Sequence, residues 1–333
     1  MAEVATINQK VQVGVETTSG TSVAASKQVN CFTWAMGVEA DTKFYMGTGR
    51  KYASTAVENK EWASGTLDGP LDFNALIYPL NGAMGGISAA THGTSATAKD
   101  WIFTPPLTGN AAPKTFTIEQ GDAVRAHKFS YGLFTSFNYK GTRDEFTCNA
   151  DLIGQLVTDG ITMTASPTAV ALSPMASKLF SVWIDPTSGA LGTTQFTRII
   201  SVDYSFANIY TPAWFINRSV TSWATHIDTA PTCTLKIMME ADAAGMGLLT
   251  SLQAGTTQYV RIQAVGAQIA ADGPGSVLAT FTHDMAVKFQ KPTRWQDQNG
   301  IFAIEWDAQI VEDTAWGSGT AQTFTLTNLL TAL

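Results

Sequence analysis

Apolar and polar residues alternate in short runs along most of this chain, the period of a strand with one buried face. Phe116–Glu119 reads FTIE and Leu133–Tyr139 reads LFTSFNY. The same pattern predicts strands over Val29–Met36, Arg198–Phe206, Cys233–Met239, Tyr259–Val265, Ser276–Phe281, Met285–Phe289 and Thr323–Leu329, with Gly, Asn, Asp and Pro between them. Two stretches change period. In Asp68–Gly82 (DGPLDFNALIYPLNG), Asp68 can cap, Pro70 suits a first turn, and Leu76, Ile77 and Leu80 share a face. Pro79 limits that helix to about two turns. In Ala241–Gly255 (ADAAGMGLLTSLQAG), Asp242 can cap, Leu248, Leu249 and Leu252 share a face, and Gly255 stands where a C-terminal glycine belongs.

The pattern repeats along the chain. Gly132–Tyr139 reads GLFTSFNY and Gly300–Asp307 reads GIFAIEWD. Gly300 follows Gly132 by 168 positions, and Leu248 follows Leu76 by 172. Each half is expected to run strand, long loop, strand, short helix, strands. The long loops are Gly37–Trp62 and Asn208–Thr232. The repeat predicts a mainly β chain of two duplicated domains, each a β-sandwich or barrel with one short flanking helix. Their bounds are 1–160, with an N-terminal arm, and 178–333, joined by a Thr-, Ser- and Pro-bearing linker over 161–177.

Composition sharpens the picture. Of 333 residues 45% are hydrophobic, enough for a core, but only 14% are charged, against about 25% in ordinary globular proteins. A surface so poor in charge suits extensive subunit contacts. The net charge of −7 argues against a basic face that grips phosphates. Cys31, Cys148 and Cys233 have no CxxC spacing, which points to free thiols of a reducing cytoplasm. The start, MAEVATINQK, has neither the basic end nor the apolar run of a signal peptide. The longest uncharged stretches hold prolines and hydroxyl residues, so no membrane span is expected.

Reactive constellations are scarce. His92, His127, His226 and His283 stand apart without metal-ligand spacing, and there is no GxSxG elbow. Gly47–Lys51 (GTGRK) lacks the spacing of a phosphate loop and reads as an exposed loop tip. Glu305 and Asp307 share a strand face, but the matching positions in the first half, Phe137 and Tyr139, give no support to a carboxylate pair. Asn217–Ser219 matches a glycosylation sequon that has meaning only in a secreted chain. No catalytic, cofactor or metal residue is assigned, and an enzyme is not expected.

Three segments in order carry a resemblance. Val13–Val23 (VGVETTSGTSV) resembles the N-terminal G-x-E-x-T-x-G-T stretch of the tail tube proteins, or major tail proteins, of long-tailed bacteriophages. Leu67–Leu71 leading into Leu76–Leu80 is similar to their strand-to-helix step. Phe116–Glu119 followed by Tyr131–Phe137 resembles their FTIE strand pair, which continues into a strand such as Arg143–Leu152. The resemblance spans most of residues 13–155, and the repeat extends it to the end.

This resemblance implies a structural virion protein made in the host cytoplasm. Six tube domains would form a ring, rings would stack into the tail, and double-stranded DNA would pass through the lumen without specific binding. Implied partners are further copies of the chain, the tape measure protein, and the terminator and tip proteins; cofactors are none. Two domains per chain would make the ring a trimer with pseudo-sixfold symmetry. Alternatives are a hexamer with the second domain as outer decoration, or a β-rich receptor- or glycan-binding virion module. The aromatic loops supply the candidate inter-ring and inter-subunit contacts: Phe44, Tyr45, Arg50, Lys51 and Tyr52 in the first, and Tyr210, Trp214, Phe215, Arg218 and Trp223 in the second.

Overall fold

The structure, a computed structural model, describes residues 6–217, 221–317 and 319–333. Strand accounts for 54% of the chain and helix for 9%, so the fold is mainly β. The first half contains β1 (Lys10–Val15), β2 (Lys27–Gln28), β3 (Thr33–Tyr45), β4 (Thr55–Pro70), α1 (Ile77–Ala83), β5 (Ala90–Thr91), β6 (Lys99–Phe103), β7 (Phe116–Gly121), β8 (Ala126–Phe134), β9 (Phe137–Thr142), β10 (Phe146–Gly154) and β11 (Val157–Ile161). After β12 (Thr168–Ala169), which pairs with β2, come β13 (Phe180–Asp185), β14 (Gln195–Phe196), β15 (Ile199–Ala207), β16 (Tyr210–Ala213) and β17 (Thr225–Asp228). The chain ends through β18 (Thr232–Glu240), α2 (Ala243–Ala254), β19 (Gln258–Asp272), β20 (Gly275–Gln298), β21 (Ile301–Ile310) and β22 (Gln322–Asn328).

The strand pairings of the two halves follow one plan. β1 pairs with β2 and β7, β7 with β8, and β8 with β11. In the same way β13 pairs with β14 and β19, β19 with β20, and β20 with β22. β3 pairs with β4, β4 with β10, and β10 with β9. Correspondingly β15 pairs with β18, β18 with β21, and β21 with β20. A helix follows β4 in one half and β18 in the other. The unbroken β20 fills the places that β8 and β9 share, where the first half steps at Thr135 and Ser136.

These registers correct the alignment of the two quoted stretches. GLFTSFNY spans the end of β8 and the start of β9, whereas GIFAIEWD begins β21, whose counterpart is β10. Aromatic strands with one buried face resemble each other whatever their place in a sheet. Glu305 and Asp307 therefore match Asn149 and Asp151, not Phe137 and Tyr139.

The two helices begin in different ways. α2 has the expected ends: Asp242 accepts from Gly245 N at 2.8 Å, and Gly255 is left-handed at φ 63°. α1 begins later than expected, because Asp68 to Pro70 still belong to β4 and pair with β10. Asp72 makes the turn instead, accepting from Asn74 N and Ala75 N at 2.8 Å. Gly37–Trp62 is not a loop either. β3 and β4 stay paired out to Tyr45 and Thr55, and the charged residues there stand on a ribbon wet on both faces.

The halves are stitched into one sheet. β9 pairs antiparallel with β15 from Phe137↔Phe206 to Thr142↔Ser201, and β22 pairs with β6. Successive pairings then run β3-β4-β10-β9-β15-β18-β21-β20, and one apolar cluster extends from Val13 to Leu326. Beneath the β9–β15 seam, Tyr139 stacks on Tyr204 with centroids 5.0 Å apart. His283 lies fully buried against Phe324, its Nε2–H facing Gln322 Oε1 at 3.2 Å. Nδ1 is then the acceptor for the Tyr139 hydroxyl at 2.8 Å, and the Tyr204 hydroxyl donates to Gln322 Oε1 at 2.7 Å. Both ring nitrogens and both tyrosine hydroxyls of this buried relay have partners, which a dry core requires.

Burial penalises the imidazolium and holds His283 down at about 3, against an ordinary 6.5; the contact with Gln322 offsets only part of this. The unfolded chain takes up that proton below pH 6.5, while the folded chain does so only near 3. Stability from this group is complete above pH 6.5 and lost as pH falls, by about 2 kcal/mol at pH 5. Urea denaturation at pH 7 and pH 5 should show that loss in the native chain. In His283→Phe the difference between the two pH values should shrink by about the same amount.

Candidate assembly surface

The run of eight strands from β3 to β20 ends, among the described pairings, in two open edges. β3 pairs with β4 on one side and, among the described pairings, with nothing on the other. Residues 288–298 of β20 pair, among the described pairings, with β21 alone. An open strand edge offers a row of unmade hydrogen bonds and invites another strand. Both edges carry exposed apolar side chains: Val38 is 60% exposed on β3, Trp295 52% on β20, and Phe302 62% just past the β20–β21 turn.

One face of the sheet is core and the other is polar. Strand alternation turns Phe137, Tyr139, Tyr204, Leu235, Ile237, Ile304 and Trp306 inward. On the opposite face, paired positions form a line across five strands: Thr147, Lys140, Asp203, Lys236 and Asp307. Charges of alternating sign thus stand side by side, and Lys236 Nζ lies 3.6 Å from Asp307 Oδ1. Such exposed pairs add little to stability. Their effect here is to set each lysine of the line beside a carboxylate-bearing position on the neighbouring strand.

The two long arms have different fates. The β3–β4 hairpin stands out from the sheet, and Phe44, Tyr45, Met46, Arg50, Lys51 and Tyr52 at its tip are exposed. The second arm, β16 and β17 with their flanks, folds back over the first half. Trp223 is fully buried and donates Nε1–H to Gly154 O at 2.9 Å, and Tyr131 packs against it. Tyr210 is buried, with its hydroxyl on Ala83 O at 3.3 Å. Trp214 meets Trp62 edge-on at 5.7 Å, with Lys60 Nζ 4.8 Å from its ring. Of the second-arm candidates Phe215 is exposed, and Arg218 lies outside the described residues.

The Glu of the Val13–Val23 stretch has a local task. Glu16 is buried, and its carboxylate accepts from Gly20 N, Thr115 Oγ1, Thr117 Oγ1 and Tyr131 N at 2.8–3.0 Å. Tyr131 is left-handed at φ 56°, beside an irregularity in the β7–β8 register. The carboxylate satisfies the amide at that distortion. Asp185 is the matching buried acid of the second half. Burial alone would push it up, but hydrogen bonds from Thr194, Thr193 and Gly192 hold it below the usual carboxylate range.

The thiols are not activated: burial pushes Cys31 and Cys233 up to about 12, and Cys148 well above its ordinary value. Among the described residues, no group of three or more His, Cys, Asp or Glu is placed to hold a metal ion, and no helix is long and apolar enough to cross a membrane. What this surface can do is pair strands and bury rings.

The edge residues Met36, Val38, Trp295 and Phe302 were not singled out in the sequence. Their one local signal is Ile301-Phe302 directly after the Asn299-Gly300 turn, where polar residues are usual.

The contrast between the arms sets a test. Trp223→Ala removes a buried ring and its hydrogen bond and should cost about 3–5 kcal/mol. Phe44→Ser at the free tip should change the stability of the single chain by less than about 0.5 kcal/mol. Thermal denaturation of dilute, unassembled protein measures both. Comparison of the sequence with protein-family models and with curated proteins finds no match in either.

Proposed function

We propose that this chain is a structural virion protein that forms rings and stacks them into the tail tube of a long-tailed phage. The observation that carries this reading is the β9–β15 seam: two halves of like plan are already joined edge to edge, and the joined sheet is still open at both ends. A third and fourth half would add by the same operation, and a curved sheet that closes on itself leaves no edge exposed. Three chains, each with two halves, close a ring with pseudo-sixfold symmetry.

Closure in this sense turns the polar face toward the lumen. Described side chains there include Asp68, Asp151, Asp203, Glu305 and Asp307 against Lys140, Lys236 and Lys288. A wall with more carboxylates than lysines repels a phosphate backbone. Double-stranded DNA would slide through, the tape measure protein would fill the lumen beforehand, and terminator and tip proteins would meet the end rings. The free β3–β4 tip, with Phe44, Tyr45, Arg50, Lys51 and Tyr52, is the part that reaches the next ring.

A glycan-binding virion module is the second reading. It draws on a recess of about 220 Å³ lined by Lys60, Trp62, Ile153, Pro212, Trp214 and Trp223. Saturable binding on a glycan array would favour it.

Electron micrographs of the purified protein, with mass per ring, test the first reading. Rings or tubes with three chains per ring are expected, and six chains per ring would sink the trimer. Deleting Gly47–Tyr52 should abolish stacking and leave single rings of folded protein. Tubes of normal length from that deletion would remove the hairpin from the stacking contact.

A further inference from the structure

The seam inside the chain and the open edges at its ends differ in chemistry. Matching the pairings β3–β4–β10–β9 onto β15–β18–β21–β20 fixes the correspondence residue by residue. Asp72 and Asp242, which turn the chain into the two helices, set the origin. Met36 then stands where Tyr204 stands, Val38 where Phe206 stands, and Trp295 where Tyr139 stands. Phe302 matches Phe146, and Phe129 on β8 matches His283 on β20.

At the internal seam these places are buried. Tyr139 is 1% exposed and Tyr204 0%, and Phe146 stacks on Phe180 with centroids 3.6 Å apart. At the open edges Val38, Trp295 and Phe302 are exposed and Met36 is half-buried. The internal set is also polar, Tyr139–His283–Gln322–Tyr204 being joined by hydrogen bonds. The open set is apolar: Trp295, Met36, Val38 and, at the place that matches His283, Phe129.

We propose that the open edge of β20 takes β3 of a second copy, in the register that sets Trp295 against Met36, and that this apolar seam alternates with the hydrogen-bonded internal one. The proposal rests on the ring-forming reading and specifies its contacts. Tyr139 opposite Met36 would leave the tyrosine hydroxyl without the imidazole it bonds, since Phe129 occupies that place. Trp295 opposite Tyr204 would overfill the buried site around His283 and leave Nδ1 unpaired. Each mismatch strands a buried polar group, at a cost of about 1–3 kcal/mol. Unlike halves therefore alternate around the ring. The carbonyl of Trp34 is already taken by Gln120 Nε2 at 3.2 Å, which marks the inner end of the open stretch on β3.

A cross-link tests the register. By this correspondence Ala35 of one copy faces Gln296 of the next on the polar face, as Asp203 faces Lys140 within the chain. Mild oxidation of assembled Ala35→Cys/Gln296→Cys protein should give dimers and closed trimers on a non-reducing gel. Each single variant, keeping its native cysteines, should stay monomeric. Dimers from Gln296→Cys alone would mean like edges pairing and would overturn the proposal. Rings seen in micrographs with no cross-link in the double variant would overturn the register and leave the ring reading standing. Protein that stays monomeric at every concentration would overturn both. As a second measure, Trp295→Asp should raise the concentration needed for assembly roughly tenfold or more. The thermal midpoint of its monomer should match the native one, because Trp295 is half exposed there.

Discussion

The ladder of backbone hydrogen bonds between β9 and β15 is the contact on which the molecule turns. Together with the β22–β6 pairing it joins the two halves into a single sheet, apolar on one side along its inner stretch. The ladder alone does not set its own register. A slip of one residue would carry either Tyr139 or Tyr204 to the wet face and break the buried contacts with His283 and Gln322. The buried relay beneath the ladder penalises that slip, so polar groups that add little net stability add definition.

The same economy governs each half. A buried acid stands at the end of the first strand of each half, Glu16 just after β1 and Asp185 as the last residue of β13. Asp185 gathers amides and a hydroxyl from the loop that comes next, whereas Glu16 takes one amide from its own loop and its other donors from Thr115, Thr117 and Tyr131. Donors that converge on a charged oxygen form stronger bonds than neutral partners would. A local network of this kind lets a loop change while the strand beside it stays in place.

How much of this was legible in the sequence depends on how local the cause is. α2 could be read to the residue because Asp242 and Gly255 act within one turn of the backbone. α1 could not, since Asp68 and Pro70 are equally good as the end of a strand, and only pairing with β10 decides. The outer part of the β3–β4 ribbon looked like a loop because no buried face imposes alternation on it. The arm residues show the limit most clearly: Tyr45 and Tyr210 sit in similar polar, aromatic surroundings in sequence, but one is bare and the other is covered by α1. Open edges are invisible in sequence for the same reason, since an edge is defined by the strand that is not beside it.

The fold-back of one arm has a consequence for counting. The halves are alike in plan, so a ligand that reads the sheet meets two sites per chain. Trp223 and Tyr210 of the second arm seal its own chain, whereas the tip of the β3–β4 hairpin is free. A partner that reads the hairpin tip therefore counts chains and not halves.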